Sequence, residues 1–290
     1  MKFAITHTTT YHYQGPVRES FNEARLQPVD DGFQKCLGFA LTISEQASTR
    51  SYKDFYGNRV VSFEISSSHG GLEVSSESQV EVLGSQEKEI EAARAMKPIP
   101  ISSLKQAAVL ENIYDYVMPS HYTPANGALW RFAMDCFSAT NGYWEFLNEL
   151  NSRVYQNLEY VRGETEVDTL ADQAFEKKRG VCQDYAHIYI AAARTLSVPV
   201  RYVSGYLYVP EEKGEGLEKI SAMETHAWVE AYMPEVGWLA FDPTHNRLCD
   251  ENYITLARGR DYGDARPLSG TYRGAPVESM KVVVTVESLD

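Results

Sequence analysis

One cysteine of the chain lies where a helix is predicted to begin. In RGVCQDYAH, residues 179–187, Cys182 follows Gly180 by two positions and opens an apolar helical pattern. The free N–H groups and the positive dipole end of a helix N-terminus favour a thiolate over a thiol, so this cysteine is a candidate nucleophile. Most cysteines are small buried residues, and position alone leaves that alternative open.

A histidine and an aspartate follow Cys182 in an order that suits a thiol-based triad. His226 opens the strand-like THAWVE, and Asp242 closes the strand-like GWLAFD. The two strands could form a hairpin that turns at MPEVG, which would bring their outer ends within reach of each other. The carboxylate would then orient the imidazole, whose other nitrogen would serve the thiol.

Several motifs resemble one known family. GVCQDYAH, PVRYVSGY, THAWVE and GWLAFDPT resemble the core motifs of the bacterial transglutaminase-like superfamily, which has a papain-like fold. SFNEARLQP, DFYGNRV and QVEV resemble the β-rich N-terminal domain that accompanies this subgroup, and ARGRDYGDARPLSGTYRG resembles its C-terminal signature. The resemblance covers nearly the whole chain and is weakest at about residues 85–160.

The resemblance implies a catalytic triad. Cys182 would be the nucleophile, His226 the general base and then acid, and Asp242 the orienting carboxylate. Attack on an amide carbonyl would give a thioester acyl-enzyme, which water or an amine then releases. This chemistry requires no metal or organic cofactor.

The spacing of apolar residues and the positions of turn-forming residues predict an α+β protein with two domains. Residues 1–85 alternate and turn frequently, as expected of an antiparallel β domain, and the charged, proline-broken residues 86–104 are typical of a surface linker. Residues 105–290 would form the papain-like (transglutaminase-like) catalytic domain. Within it, helical spacing is found in LKQAAVLENIYDYV, GALWRFAMDCFSA, YWEFLNELNSRVYQNLEYV, DTLADQAFEKK and VCQDYAHIYIAAARTLS, followed by four strand-like segments.

Other polar and aromatic residues are candidates for supporting functions. The backbone N–H of Cys182 is the first candidate oxyanion donor, and the side chains of Gln183 and Trp144 are candidates for the second. Tyr206 and Trp228 could line a substrate groove. A helix-surface position for Gln183 and core positions for the aromatic residues are the alternatives.

For the other charged and histidine residues near the predicted triad in sequence, we expect structural functions. Asp184 could stabilise the helix dipole, or it could pair with Arg201 or Arg258. His187 is expected to pack within the helix, and His245 receives no function. The other three cysteines lack a pattern like that around Cys182 and should be inert.

The amino-acid composition limits the classes of partner and the cellular environment that we expect for the protein. The 290 residues carry a formal net charge of −13, which would repel a phosphate backbone and excludes nucleic acid as a first choice. Four scattered cysteines and seven histidines show neither disulfide density nor zinc spacing. The chain lacks an apolar run long enough for a signal peptide or a membrane span, so we expect a cytoplasmic protein that does not enter membranes.

These observations predict a thiol-dependent amide-bond hydrolase. A peptide or isopeptide is the first choice of substrate, because no calcium-binding acidic loops of a regulated cross-linking enzyme are present. Amine transfer of the transglutaminase type is the second choice. A weakly active module that binds a peptide or amide is the third, and the oligomeric state stays open.

Overall fold

The computed structural model describes residues 1–97, 113–140, 142–209, 222–223 and 225–290. The strands are β1 Lys2–Ala24, β2 Gln34–Ile43, β3 Ser48–Lys53, β4 Arg59–Ile65, β5 His69–Val82, β6 Glu159–Tyr160, β7 Arg179–Gly180, β8 Val200–Leu207, β9 Ala222–Met223, β10 His226–Met233, β11 Gly237–Asp242, β12 Arg247–Leu248, β13 Tyr253–Gly259, β14 Leu268–Gly274 and β15 Val277–Ser288. The helices are α1 Glu87–Ala95, α2 Gly127–Ser138, α3 Tyr143–Asn157, α4 Ala171–Lys177, α5 Cys182–Thr195 and α6 Tyr262–Ala265, with a 3₁₀ turn at Tyr114–Tyr116.

The first sheet is built around β1. The first half of this strand pairs with β5 and β15, and the second half pairs with β4 and β14, all antiparallel. The QGP segment at residues 14–16, in the region where frequent turns are predicted, lies inside β1. The ladders shift register there, between His12 and Val17, and a register shift accommodates a proline, which cannot donate to a ladder.

The second sheet has the order β12-β11-β10-β8-β13, and its strands are antiparallel. Helix α5 packs against β10 and β8, and α2, α3 and α4 pack around α5. The helix is buried from Asp184 to Arg194, and its small side chains at residues 191–193 are at most 2% exposed. Because α5 is enclosed in this way, its N-terminus is held at a fixed place above the sheet.

The predicted linker at residues 86–104 contains a helix where it is described. Residues 87–95 form α1, in which Ala93 is buried against the core of the helical layer. Gln86, just before this helix, is buried, and its side chain bonds the backbone of Ala240 and Cys249. The segment therefore packs on the second sheet, and residues 98–104 lie outside the described part.

The C-terminal strands return to the first sheet. β14 pairs with the second half of β1, and β15 pairs with the first half from Phe3 to Tyr13. Residues of the predicted catalytic segment thus complete the sheet of the N-terminal segment. The predicted boundaries at 85 and 105 stay a prediction, and the helix predicted at residues 104–117 falls mostly outside the described residues.

A buried ion cluster ties the two sheets together. Glu230 of β10 pairs with Arg201 of β8 and with Nε of Arg258 of β13, the latter at 3.0 Å. Arg258 also contacts Asp31 of the N-terminal segment at 2.7 Å.

The two sheets confirm the predicted α+β class, with an antiparallel sheet first and a helix-covered sheet second. No helix in the described residues could cross a membrane.

Candidate active site

The predicted helix N-terminus at Cys182 is confirmed, because Cys182 is the first residue of α5. The turn before it is fixed by Asp184, whose Oδ2 accepts from the Val181 backbone N–H at 2.8 Å and from Thr165 Oγ1 at 2.7 Å. A Cβ at Gly180 would overlap the Asp184 carboxyl group, so glycine is required there. These contacts place the partly exposed thiol at the floor of a cleft.

The predicted hairpin is also confirmed. β10 and β11 pair from Val229 with Phe241 to Met233 with Gly237, so their outer ends meet. His226 Nε2 lies 2.8 Å from Asp242 Oδ2. Interaction with Cys182 also raises the pKa of the imidazole, and because Nε2 faces the carboxylate, Nδ1 is the nitrogen left for the thiol.

The carboxylate of Asp242 is fully buried and receives five hydrogen bonds. Its Oδ2 accepts from His226, from His245 Nδ1 at 2.7 Å and from the Tyr253 hydroxyl at 2.6 Å. Its Oδ1 accepts from the backbone N–H groups of Thr244 at 2.8 Å and His245 at 3.2 Å. This shell holds the carboxylate in one orientation towards His226.

The electrostatics favour a charged imidazole. Burial disfavours the imidazolium, but hydrogen bonds to Asp242 and Cys182 and the charges of both outweigh it and raise the pKa of His226 from 6.5 to about 10. Burial likewise disfavours the charged Asp242, yet its hydrogen bonds with His226, His245 and Tyr253 hold the pKa of this carboxyl well below its usual range. The arrangement can therefore keep a proton on His226 beside the thiol at neutral pH.

The contacts of Asp184 correct one prediction. Its carboxylate stays within the turn before α5 and accepts from Val181 and Thr165. The predicted alternative, an ion pair with Arg201 or Arg258, is wrong because both arginines pair with the buried Glu230 instead.

His187 is fully buried, and burial lowers its pKa to about 3. Its Nε2 accepts from the Tyr262 backbone N–H at 3.1 Å, and its ring stacks on Tyr122. It therefore packs between α5 and the C-terminal segment as a neutral group, away from the thiol chemistry.

The other cysteines are placed apart from the cleft. Burial raises the pKa of Cys136 to about 12 and that of Cys249 well above its ordinary value, and both thiols are buried. Cys36 lies on β2, and burial together with the nearby charge of Asp30 raises its pKa. The high pKa of each thiol opposes formation of a thiolate.

The four supporting candidates occupy different places. Gln183 lines the cleft, with its Nε2 donating to the Val167 carbonyl at 2.8 Å. Trp144 borders a separate surface cavity and packs against Phe241. Its placement fits the core alternative that the sequence left open.

Tyr206 and Trp228 are also inside the protein. Tyr206 is fully buried and its hydroxyl bonds His7 Nδ1 at 2.9 Å, between the two sheets. Trp228 is 1% exposed and stacks behind His226 with ring centroids 6.1 Å apart. Neither side chain is among those that line the cleft, so their packing fits the core alternative, and Trp228 supports the imidazole from behind.

Two contacts of the site had no counterpart in the sequence analysis. His245 and Tyr253 both donate to Asp242, the first from the turn after β11 and the second from the start of β13. The spacing of His245, three residues after the aspartate, is a signal that could have indicated its function. Tyr253 carries no such local signal because its contact depends on the packing of the next strand.

One group in the described residues has ligands of the type that bind metals. His226, Asp242 and His245 offer three such atoms within 4.8 Å of one another. Both imidazoles lie at hydrogen-bond distance from the same carboxylate oxygen, 2.8 and 2.7 Å. Both imidazole N–H groups thus donate a hydrogen bond to the same carboxylate oxygen. In a metal site, by contrast, the three ligand atoms would point at one shared ion.

The comparisons with known proteins agree with this geometry. A model of the bacterial transglutaminase-like N-terminal region matches residues 3–81, and the model of the transglutaminase-like superfamily matches residues 132–243. An uncharacterized protein of Mycobacterium leprae is 33% identical over 291 residues, which is 99% of each chain. A protein-glutamine gamma-glutamyltransferase of Pseudomonas aeruginosa is 32% identical over 117 residues, 39% of this chain and 18% of that protein.

A solved structure shares the architecture over the full length. The crystal structure of a "putative cysteine protease" from Cytophaga hutchinsonii superposes with a TM-score of 0.76 and 25% identity, covering 100% of this chain and 92% of that one. Both the catalytic sheet and the N-terminal sheet are therefore shared with that protein. The chain belongs to the transglutaminase-like superfamily, as an enzyme of thiol-dependent acyl chemistry with the accompanying bacterial N-terminal region.

Proposed function

We propose that the protein hydrolyses an amide bond of a peptide or isopeptide, with Cys182, His226 and Asp242 as its catalytic triad. The Cys182 thiolate attacks the amide carbonyl carbon, and His226 gives its proton to the leaving amine as the carbon–nitrogen bond breaks. His226 then takes a proton from water, which attacks the thioester and releases the acid and the Cys182 thiolate, so that the starting thiolate–imidazolium pair is restored. Protons and bonds balance over the two steps.

The observation that carries this proposal is the position of one imidazole. His226 contacts the Asp242 carboxylate at 2.8 Å, Cys182 raises the pKa of the same imidazole, and both Cys182 and His226 line one cleft. An imidazole held between a carboxylate and a thiol is what both proton transfers need. The residue types alone would also fit a buried polar cluster, but a buried cluster needs no cleft.

The oxyanion of each tetrahedral intermediate needs hydrogen-bond donors. Because Cys182 is the first residue of α5, its backbone N–H has no partner within the helix, and the positive end of the helix dipole lies beside it. We assign this N–H as the first donor. The Gln183 side chain lines the same cleft, but its amide is directed to the Val167 carbonyl.

The lining of the cleft favours water over a cationic amine as acceptor. Among the described residues that line it, none is an aspartate or a glutamate. A primary amine is mostly protonated at neutral pH, and a cleft without carboxylates offers such a cation no attraction. Amine transfer is the second candidate, because part of the catalytic segment is similar to a protein named as a gamma-glutamyltransferase.

The experiment uses a mixed peptide library with and without added methylamine. Native protein should generate new peptide termini at an unchanged level when methylamine is present, and Cys182→Ala should generate none. Cys36→Ala is the matched control and should behave as the native protein, because Cys36 lies on β2, outside the cleft. Methylamide products in place of free acids would establish amine transfer, and cleavage by Cys182→Ala would overturn the proposed nucleophile.

A further inference from the structure

We propose that strands β1 and β15 of the first sheet form a specificity wall of the active-site cleft, and that this wall binds an aliphatic or aromatic side chain of the acyl group. The inference rests on the proposed function and names the class of substrate for it. The wall consists of Thr9, Tyr11, Met280 and Val282.

The four side chains share one face of the sheet. Thr9 pairs with Val282 and Tyr11 pairs with Met280, and all four line the cleft that contains Cys182. Side chains two residues apart on a strand point to the same face, and directly paired residues are neighbours across the ladder. The wall is therefore a continuous surface, and it belongs to a sheet that the catalytic chemistry itself does not require.

Outside the catalytic pair, the described lining of the cleft carries no charged side chain. Its described residues include no aspartate, glutamate, lysine or arginine, although the chain as a whole has a net charge of −13. His7, behind the wall, is buried, and burial lowers its pKa to about 4, so its imidazole is neutral at pH 7. Its two nitrogens bond the hydroxyl groups of Tyr206 and Thr9 at 2.9 and 3.2 Å. A charged side chain bound against the wall would lose water without gaining a counter-ion from any wall residue, which is costly.

Beside the catalytic residues, the rest of the described lining includes the aromatic and aliphatic side chains of Tyr202, Tyr262, Val167 and Leu268. It also includes the uncharged polar residues Gln183, Ser204 and Thr225. The cavity has a volume of about 350 Å³, within the usual range of roughly 300–1,000 Å³ for small-molecule sites. Met280, at 54% exposure, presents apolar surface to solvent, surface that a bound apolar side chain would cover.

The acyl group is the part of the substrate that the wall contacts in both half-reactions. The leaving amine departs after the first step, whereas the acyl group stays bonded to Cys182 until water releases it. Binding energy between the wall and the acyl side chain is thus available in acylation and in deacylation. This places the selectivity on the acyl side.

The test measures alkylation of Cys182 by four N-acetyl amino acid chloromethyl ketones, derived from phenylalanine, leucine, aspartate and lysine. With native protein, the phenylalanine and leucine reagents should react at least about tenfold faster than the two charged ones, because a charged group is poorly solvated in the cleft. Met280→Asp and Val282→Asp should each lower the rate of the phenylalanine reagent by about tenfold and raise that of the lysine reagent.

Val283→Asp is the matched control. Val283 directly follows the wall residue Val282 on β15 and is 40% exposed, but alternation directs its side chain to the other face. It should keep the native order of rates. Because Met280 is exposed, its replacement is not expected to unfold the protein, so the test does not depend on Val282→Asp alone.

Iodoacetamide, which carries no side chain, separates the two proposals. If it labels Cys182 but the four chloromethyl ketones react at equal rates, or if Met280→Asp leaves the order of rates unchanged, the specificity wall is wrong and the triad stands. If Cys182 resists iodoacetamide as well, the proposed nucleophile fails and the specificity wall fails with it.

Discussion

Replacement of Asp242 by asparagine tests the electrostatics of the triad. The pKa of His226 is raised from 6.5 to about 10, and hydrogen bonds and charges of Asp242 and Cys182 are the sources of this rise. A rise of this size corresponds to about 5 kcal/mol in favour of the imidazolium. If Asp242 supplies about half, its neutral replacement removes about half of this free energy, or roughly 60-fold in the population of the thiolate–imidazolium pair.

The assay is the rate of Cys182 alkylation by iodoacetamide between pH 5 and 10. Native protein should react at a nearly constant rate from pH 6 to 9, because His226 stays protonated up to about pH 10. Asp242→Asn should react roughly 60-fold more slowly at pH 7, and its rate should no longer be constant over this range, because His226 loses the carboxylate that helps to hold its pKa at about 10.

The replacement also affects folding. Asparagine has one oxygen where the carboxylate has two, and the five donors around Asp242 cannot all be satisfied by it. In either orientation at least two donors face the NH₂ group, which costs about 2–6 kcal/mol. Rates are therefore compared per folded molecule at low temperature, with Asp135→Asn, exposed on α2, as control. A native rate and a flat pH profile for Asp242→Asn would refute the reasoning.

Three further changes give separate outcomes. Glu230→Gln should destabilise the fold by about 3–5 kcal/mol, because Arg201 loses its counter-ion and Arg258 keeps only Asp31. The pKa of Glu230 is lowered from 4.5 to about 2, so its ionised form contributes about 3 kcal/mol to the free energy of unfolding above pH 4.5. In the native protein this contribution should be lost as the pH falls towards 2. Thermal melts from pH 2 to 7 should show no such loss in the variant. Gly205→Ala should lower the melting temperature strongly, because its Cβ would overlap the Ile254 carbonyl; an unchanged melt would contradict that close approach. Tyr253→Phe removes one of the donors to Asp242 and should slow alkylation several-fold with little unfolding, whereas an unaltered alkylation rate would show that the hydroxyl does not position the carboxylate.

The positions of the three proposed catalytic residues could be predicted from sequence because each depends on a local pattern. Helical spacing after Gly180 located the N-terminus of α5 at Cys182, and two alternating segments around MPEVG located a hairpin that joins His226 to Asp242. Both inferences use residues close in the chain. The thiol and the imidazole come together only through packing of α5 on β10, which the family resemblance implied and spacing did not.

The remaining features depend on contacts between distant segments. The return of β15 to β1, with Phe3 opposite Ser288, joins the two ends of the chain and has no local signal. The same pairing brings Met280 and Val282 to the cleft. Tyr206 shows the converse, because strand alternation suggested a groove residue, whereas contact with the first sheet buries it.

The most direct measurement is transfer of an acetyl group from p-nitrophenyl acetate to each of the four cysteines, mapped by mass spectrometry in native protein and in His226→Ala. We predict a rapid burst of nitrophenolate, an acetyl thioester at Cys182 and release of acetate by water, all greatly slowed in His226→Ala. Acetylation spread over several cysteines, or acetylation of Cys182 that does not depend on His226, would contradict a catalytic thiol–imidazole pair.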